Sequence, residues 1–138
     1  MPTKKYNRIL IVDDDSTSTF LIKMTLEDMQ LAEQILTAAN GREGIEQVQQ
    51  YFLHQGQLEQ ACPDLILLDI NMPVMDGFEM LDELQSIGQK HLIQNKVVVL
   101  TSSENPRDKA KMLSFGVKEF VTKPLTEEKL TLLIANTG

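Results

Sequence analysis

The stretch LILLDINMP, from Leu65 to Pro73, sets four unbroken apolar residues against a lone acid, Asp69, followed by a turn. A short apolar run without polar alternation is the mark of a strand covered on both faces, as in a parallel sheet. Three other pieces repeat the pattern: ILIVDDD (Ile9 to Asp15), VVVLTSS (Val97 to Ser103) and EFVTKP (Glu119 to Pro124). Each ends on reactive side chains. Open α/β sheets bind ligands outside the carboxyl ends of their strands, so these polar groups all belong to one edge.

Helical patterns fill the intervals. The first spans about Ser16 to Asp28, with Asp15 or Ser16 as N-cap and Phe20, Leu21 and Met24 facing inward. A second strand near Gln34 to Ala38 leads to a helix capped by Asn40, with Ile45, Val48 and Phe52 at helical spacing and Gly56 interrupting it. His54 to Pro63 (HQGQLEQACP) is polar and long for a return to a strand, and reads as extended helix plus surface loop. After Asp69, a turn built from Pro73, Asp76 and Gly77 opens a helix that points Phe78, Leu81 and Leu84 inward. Strand four is Lys96 to Leu100. Asn105 and Pro106 open the fourth helix and Gly116 closes it. Strand five, about Lys118 to Thr122, precedes a last helix capped by Thr126, with Glu127 and Glu128 in its first turn. Five βα units result, expected to form one domain over residues 1–138, core about 7–136, without an output domain.

Composition narrows the function. A chain of 138 residues suffices for one domain that buries roughly two-thirds of its unfolded surface. The net charge of −7 disfavours direct nucleic-acid binding and draws cations toward an acidic site. Cys62 is the single cysteine, with neither a disulfide partner nor metal-ligand spacing, and reads as a small buried hydrophobe. The apolar runs are too short to cross a bilayer and no secretory signal precedes the first strand, so the expected location is cytoplasmic. His54 and His91 lack partner spacing, and Met72 and Met75 read as packing.

Acids, then a lone Asp, then a hydroxyl, then a Lys: this order suits phosphoryl transfer to a carboxylate. Asp13 and Asp14, Asp69, Thr101, and Lys123 followed by Pro124 together resemble a response-regulator receiver domain of two-component signalling, of the stand-alone type. The resemblance implies a flavodoxin-like, doubly wound (βα)5 fold, a five-stranded parallel sheet in the order 2-1-3-4-5. Strands one and three are then neighbours about 4.8 Å apart, and their acids converge. Such carboxylates repel one another, and removing either Asp13 or Asp14 is expected to relieve the crowding. A hard cation with oxygen ligands also relieves it; Mg²⁺ suits, because it binds through few carboxylates and coordinates phosphate.

Asp69, ending the most apolar and central strand, is the expected phosphoacceptor, a carboxylate nucleophile that splits transfer into two steps. Lys123 adds a point charge, and Thr101 can donate a hydrogen bond to a phosphoryl oxygen. By resemblance, Asp14 binds the metal directly, Asp13 mainly through water, and Asn71 gives its backbone carbonyl, while Asp15 is left as a cap. The resemblance also implies a cis Lys123-Pro124 peptide and a switch in which Phe120 swings inward as Thr101 moves toward the phosphoryl group. Asn71 and Ser103 match positions that flank the hydrolytic water. The implied partners are a sensor histidine kinase or phosphotransfer protein and a separate downstream protein, with a homodimer through the fourth helix, fifth strand and fifth helix as an option. Beyond self-catalysed phosphorylation and dephosphorylation, no enzyme activity is expected.

Singly, each residue has a plainer explanation: Asp13 to Asp15 as helix caps, Asp69 as a turn residue, Lys123 as a solvated charge, Phe120 as core. Their coincidence at one sheet edge outweighs these. A haloacid-dehalogenase-type phosphatase would need an acid where Asn71 stands, and a dinucleotide enzyme a GxGxxG after the first strand. A receiver-like interaction module with a dead switch would lack an acid or the Lys, and all are present.

Overall fold

Five Val-, Ile- and Leu-rich runs pair as parallel strands: β1 (Tyr6–Val12), β2 (Ala32–Ala38), β3 (Leu65–Asp69), β4 (Val97–Thr101) and β5 (Glu119–Thr122). Their order is β2-β1-β3-β4-β5, the doubly wound arrangement expected. The computed structural model describes residues 5–53, 63–72, 74–102 and 105–137. Six helices lie among them: α1 (Ser16–Asp28), α2 (Gly41–Leu53), α3 (Gly77–Ser86), α4 (Lys90–Asn95), α5 (Pro106–Ser114) and α6 (Glu127–Thr137).

Alternate residues of the central strands feed two cores. Leu10, Val12, Ile66, Leu68 and Val99 face Ile45 and Val48 of α2, Met80, Leu81 and Leu84 of α3, Leu92 and Ile93 of α4, and Met112 of α5. On the other face, Ile9, Ile11, Leu67, Val98 and Leu100 meet Ile22 and Leu26 of α1 and Leu130 and Leu133 of α6. Burial on both faces is why β3 and β4 show no polar alternation.

Register levels the site. Val12 pairs with Leu68, which puts Asp13 and Asp69 side by side, and Asp69 pairs with Leu100, one residue before Thr101.

The phase of α1 differs from the sequence expectation. Phe20, Leu21 and Met24 are 60%, 56% and 44% exposed, and Ile22 and Leu26 are the buried residues. The cause lies at the helix start, where the Ser18 hydroxyl donates to Asp13 Oδ2 at 2.8 Å. That bond turns the i, i+4, i+8 stripe of Ser18, Ile22 and Leu26 toward the sheet. The cap is Asp15, whose side chain accepts from the Thr17 and Ser18 amides. Phe78 is half-buried, stacked on Phe115 with centroids 6.5 Å apart, while Leu81 and Leu84 are fully inward. Helix α4 was not expected, since six residues offer only the apolar pair Leu92 and Ile93. Asn105 caps α5 through its side chain with Pro106 in the first turn, and Gly116, at φ +96°, ends it. Expectations placed on residues 54–62, including Gly56 and Cys62, on the Phe52 side chain, and on Pro73 and Ser103 fall outside the described residues. No described helix is long and apolar enough to cross a membrane.

Candidate functional site: an acidic pocket at the carboxyl edge

Asp13 follows the buried end of β1 and Asp69 is the last residue of β3, and the two are only 4% and 6% exposed. Asp14, next in the chain, is exposed. One carboxylate oxygen from each of the three lies within 4.8 Å of the others. Lys123 reaches in from the β5–α6 loop, its Nζ 3.0 Å from Asp13 Oδ2 and 3.4 Å from Asp69 Oδ2. Its backbone N–H donates to the Thr101 carbonyl at 2.8 Å, tying the ends of β4 and β5 together. The Lys123-Pro124 peptide is cis. Thr101 is buried at 2% exposure, one residue beyond the partner of Asp69 on β4.

Asp13 and Asp69 are held differently. Asp13 Oδ2 accepts from Lys123 and from Ser18, and its Oδ1 accepts from the Asp15 amide at 2.9 Å. Asp69 Oδ1 accepts one long bond of 3.4 Å, from the Asn71 amide. Among the described residues, the Asp14 carboxylate accepts no hydrogen bond, so its oxygens are free to ligate. Gly77 makes the β3–α3 loop possible: a Cβ there would sit 2.7 Å from the Asp69 carbonyl oxygen. The sequence reading treated Gly77 as a turn former, and its role is close approach. Phe120 is half-buried against the core, with Lys109 Nζ 5.6 Å above its ring. Ser18 was missed at the sequence level. Its signal was the spacing to Ile22 and Leu26, which marks it as the inward residue of the first turn.

Burial pushes the Asp69 carboxyl above its ordinary value; Lys123 pulls it down and Asp13 pushes it up, leaving it raised. Burial alone would lower Lys123, but its hydrogen bond to Asp13 and the charges of Asp69 and Asp13 more than offset this, and it stays protonated. Ionised Asp69 therefore costs stability. The cost is complete above its folded-state pKa, shrinks as pH falls through that value, and vanishes below the unfolded value near 3.9. Asp69→Asn should melt higher than wild type at neutral pH, and thermal scans from about pH 7 to pH 4 should show the gap narrowing. A gap that widens on acidification would contradict the raised carboxyl.

An oxygen-only donor set with three carboxylates against one ammonium fits a hard divalent cation. The geometry defines a class: a doubly wound α/β domain with an acidic, cation-competent pocket at its carboxyl edge, closed by a lysine on a cis-proline loop. The chain belongs to the response regulator receiver domain family, whose model matches residues 9–135. It is 34% identical over 125 residues to a protein-glutamate methylesterase/protein-glutamine glutaminase of Koribacter versatilis, covering 91% of this chain but only 31% of that relative. Against Protein PilH of Pseudomonas aeruginosa the identity is 32%, over 89% of this chain and 90% of PilH. Among solved structures, a two component response regulator from Cytophaga hutchinsonii superposes with a TM-score of 0.81 at 30% identity, covering 97% of this chain and 98% of that one. This is thus a receiver domain of two-component signalling, and its acidic pocket fits a phosphoacceptor role.

Proposed function

We propose that this chain is a phosphoacceptor response regulator, in which Asp69 receives a phosphoryl group from a phosphohistidine donor. The observation that carries the reading is Lys123, whose ammonium lies within 3.4 Å of Asp69 and 3.0 Å of Asp13 beside the unengaged Asp14 carboxylate. An Asp69 carboxylate oxygen attacks phosphorus, an O–P bond forms, the donor P–N bond breaks, and the electron pair leaves with the imidazole. Lys123 offsets the charge that opposes attack. Mg²⁺, held by Asp13, Asp14, Asp69 and the Asn71 carbonyl, would supply further neutralising charge to the phosphoryl oxygens. Asn71, exposed beside Asp69, leaves room for the water of self-catalysed dephosphorylation.

The output reading uses Thr101 and Phe120. The Thr101 hydroxyl donates to a phosphoryl oxygen, vacating space beside β5 that the Phe120 ring fills, and the surface of α5, β5 and α6 is remodelled for a downstream protein. Uptake of phosphoryl from acetyl phosphate, read by intact mass, tests the acceptor. For the switch, Thr101→Ala should keep Asp69 reactive yet lose the change at α5 and α6. Amide exchange with and without beryllofluoride measures this; a wild type that changes only in the pocket loops would sink the route.

A further inference from the structure

A lysine is poorly suited to the first turn of a helix, where the free amides already concentrate positive charge and Glu or Gln is favoured. Lys129 nevertheless stands third in α6, directly after Glu127 and Glu128. Its amide donates to the Thr126 hydroxyl at 3.2 Å, an ordinary N-cap bond. Its side chain leans back toward the start of the helix, as helical side chains do, and the ammonium donates to two backbone carbonyls, Thr122 at 2.7 Å and Pro124 at 3.0 Å. Among the described residues no carboxylate lies within salt-bridge distance of it. The two carbonyls flank Lys123, whose own ammonium is 3.0 Å from Asp13 and 3.4 Å from Asp69.

We propose that Lys129 is a positioning residue for phosphoryl transfer, its ammonium fastening the peptide groups on either side of Lys123 so that the Lys123 side chain stays aimed at the acidic pocket. The role rests on the phosphoacceptor reading of Asp69. β5 is an edge strand, and where it ends the Lys123 amide is tied to the Thr101 carbonyl at 2.8 Å. Pro124 has no amide hydrogen with which to add a tie of its own. The Lys129 bonds supply the other side, so the loop is pinned to β4 and to α6 at once. A lysine ammonium on its flexible four-carbon stem is placed only as well as the backbone that carries it, and a misplacement of about 1 Å can cost a reaction on the order of a hundredfold. Covering carbonyls does not by itself need a lysine: Thr122 and Pro124 are exposed, and water would serve. The clamp therefore adds little to stability, and its effect falls on the aim of Lys123.

The rate of phosphoryl uptake from acetyl phosphate with Mg²⁺, followed by intact mass on the full chain, tests this. Lys129→Gln puts a favoured residue at the third helical position but is too short to hold both carbonyls. It should melt at or above wild type yet take up phosphoryl about tenfold more slowly, the low end of what hydrogen bonds to a charged group contribute. Lys129→Met, which keeps the apolar stem, is measured in its place if the Gln variant does not fold. In a Lys123→Met background the same substitution should slow uptake no further, because both residues act through one ammonium. The nitrogen NMR signal of that ammonium should move toward the position of a free lysine when Lys129 is replaced. A rate equal to wild type, an equal slowing in the Lys123→Met background, or an unmoved Lys123 signal would overturn the positioning role. A wild type that takes up no phosphoryl would overturn the acceptor reading itself, whereas normal uptake by both wild type and Lys129→Gln overturns this role alone.

Discussion

Incubated with acetyl phosphate and Mg²⁺, the wild-type chain should gain the mass of one phosphoryl group, and Asp69→Asn should gain none. A neutral amide cannot attack phosphorus, and removing an attacking group costs on the order of 10⁶ in rate. The structure also argues against the neighbouring acids. Both Asp13 oxygens are engaged, by Lys123, Ser18 and the Asp15 amide, whereas Asp69 Oδ1 has only a 3.4 Å contact with the Asn71 amide. Asp14 is exposed to solvent, where a carboxylate is well hydrated and poorly placed to attack. Intact-mass spectra of both proteins decide the matter, and a full adduct on Asp69→Asn would move the acceptor to another acid.

The two remaining acids should part company on melting. Asp14→Ala removes a repelling charge that no described residue binds, so without metal it should melt at or above wild type. Saturating Mg²⁺ should stabilise wild type by about 2.7 kcal/mol at a hundredfold excess over Kd, and Asp14→Ala should lose most of that response. The crowding argument from sequence predicts the same relief for Asp13→Ala, but the tertiary contacts reverse the sign. Removing Asp13 strips Lys123 and Ser18 of their nearest acceptor. Breaking such a buried pair costs roughly 3 kcal/mol, the low end of the usual range because Lys123 keeps Asp69 as a second partner. Calorimetric scans with and without Mg²⁺ measure both. An Asp14→Ala protein with the wild-type Mg²⁺ shift would refute its part in metal binding, and an Asp13→Ala protein as stable as wild type would refute the buried network.

Much of this was legible because strand burial leaves a strong local trace. Four apolar runs ending on Asp13, Asp69, Thr101 and Lys123 announce a parallel sheet with its polar groups at one edge, and caps such as Asp15, Asn105 and Gly116 need only near neighbours in the chain. The pairing of Val12 with Leu68 and the 3.0 Å approach of Lys123 to Asp13, 110 residues apart, bring the predicted residues into one pocket.

What sequence could not decide was anything set by contact between elements. Helical periodicity names Phe20, Leu21 and Met24 as the inward face of α1; the Ser18 to Asp13 bond selects Ile22 and Leu26 instead. The short α4, the contrast between a locked Asp13 and an open Asp14, and the seat of Lys109 over Phe120 likewise appear only in three dimensions. Residue identity and order determined the strands, their polar ends and the chemistry those ends can support, because hydrophobic patterning and capping act over a few residues. Which face each helix buries, and which carboxylate is neutralised and which left free, depends on partners distant in the chain, and only the tertiary structure decides it.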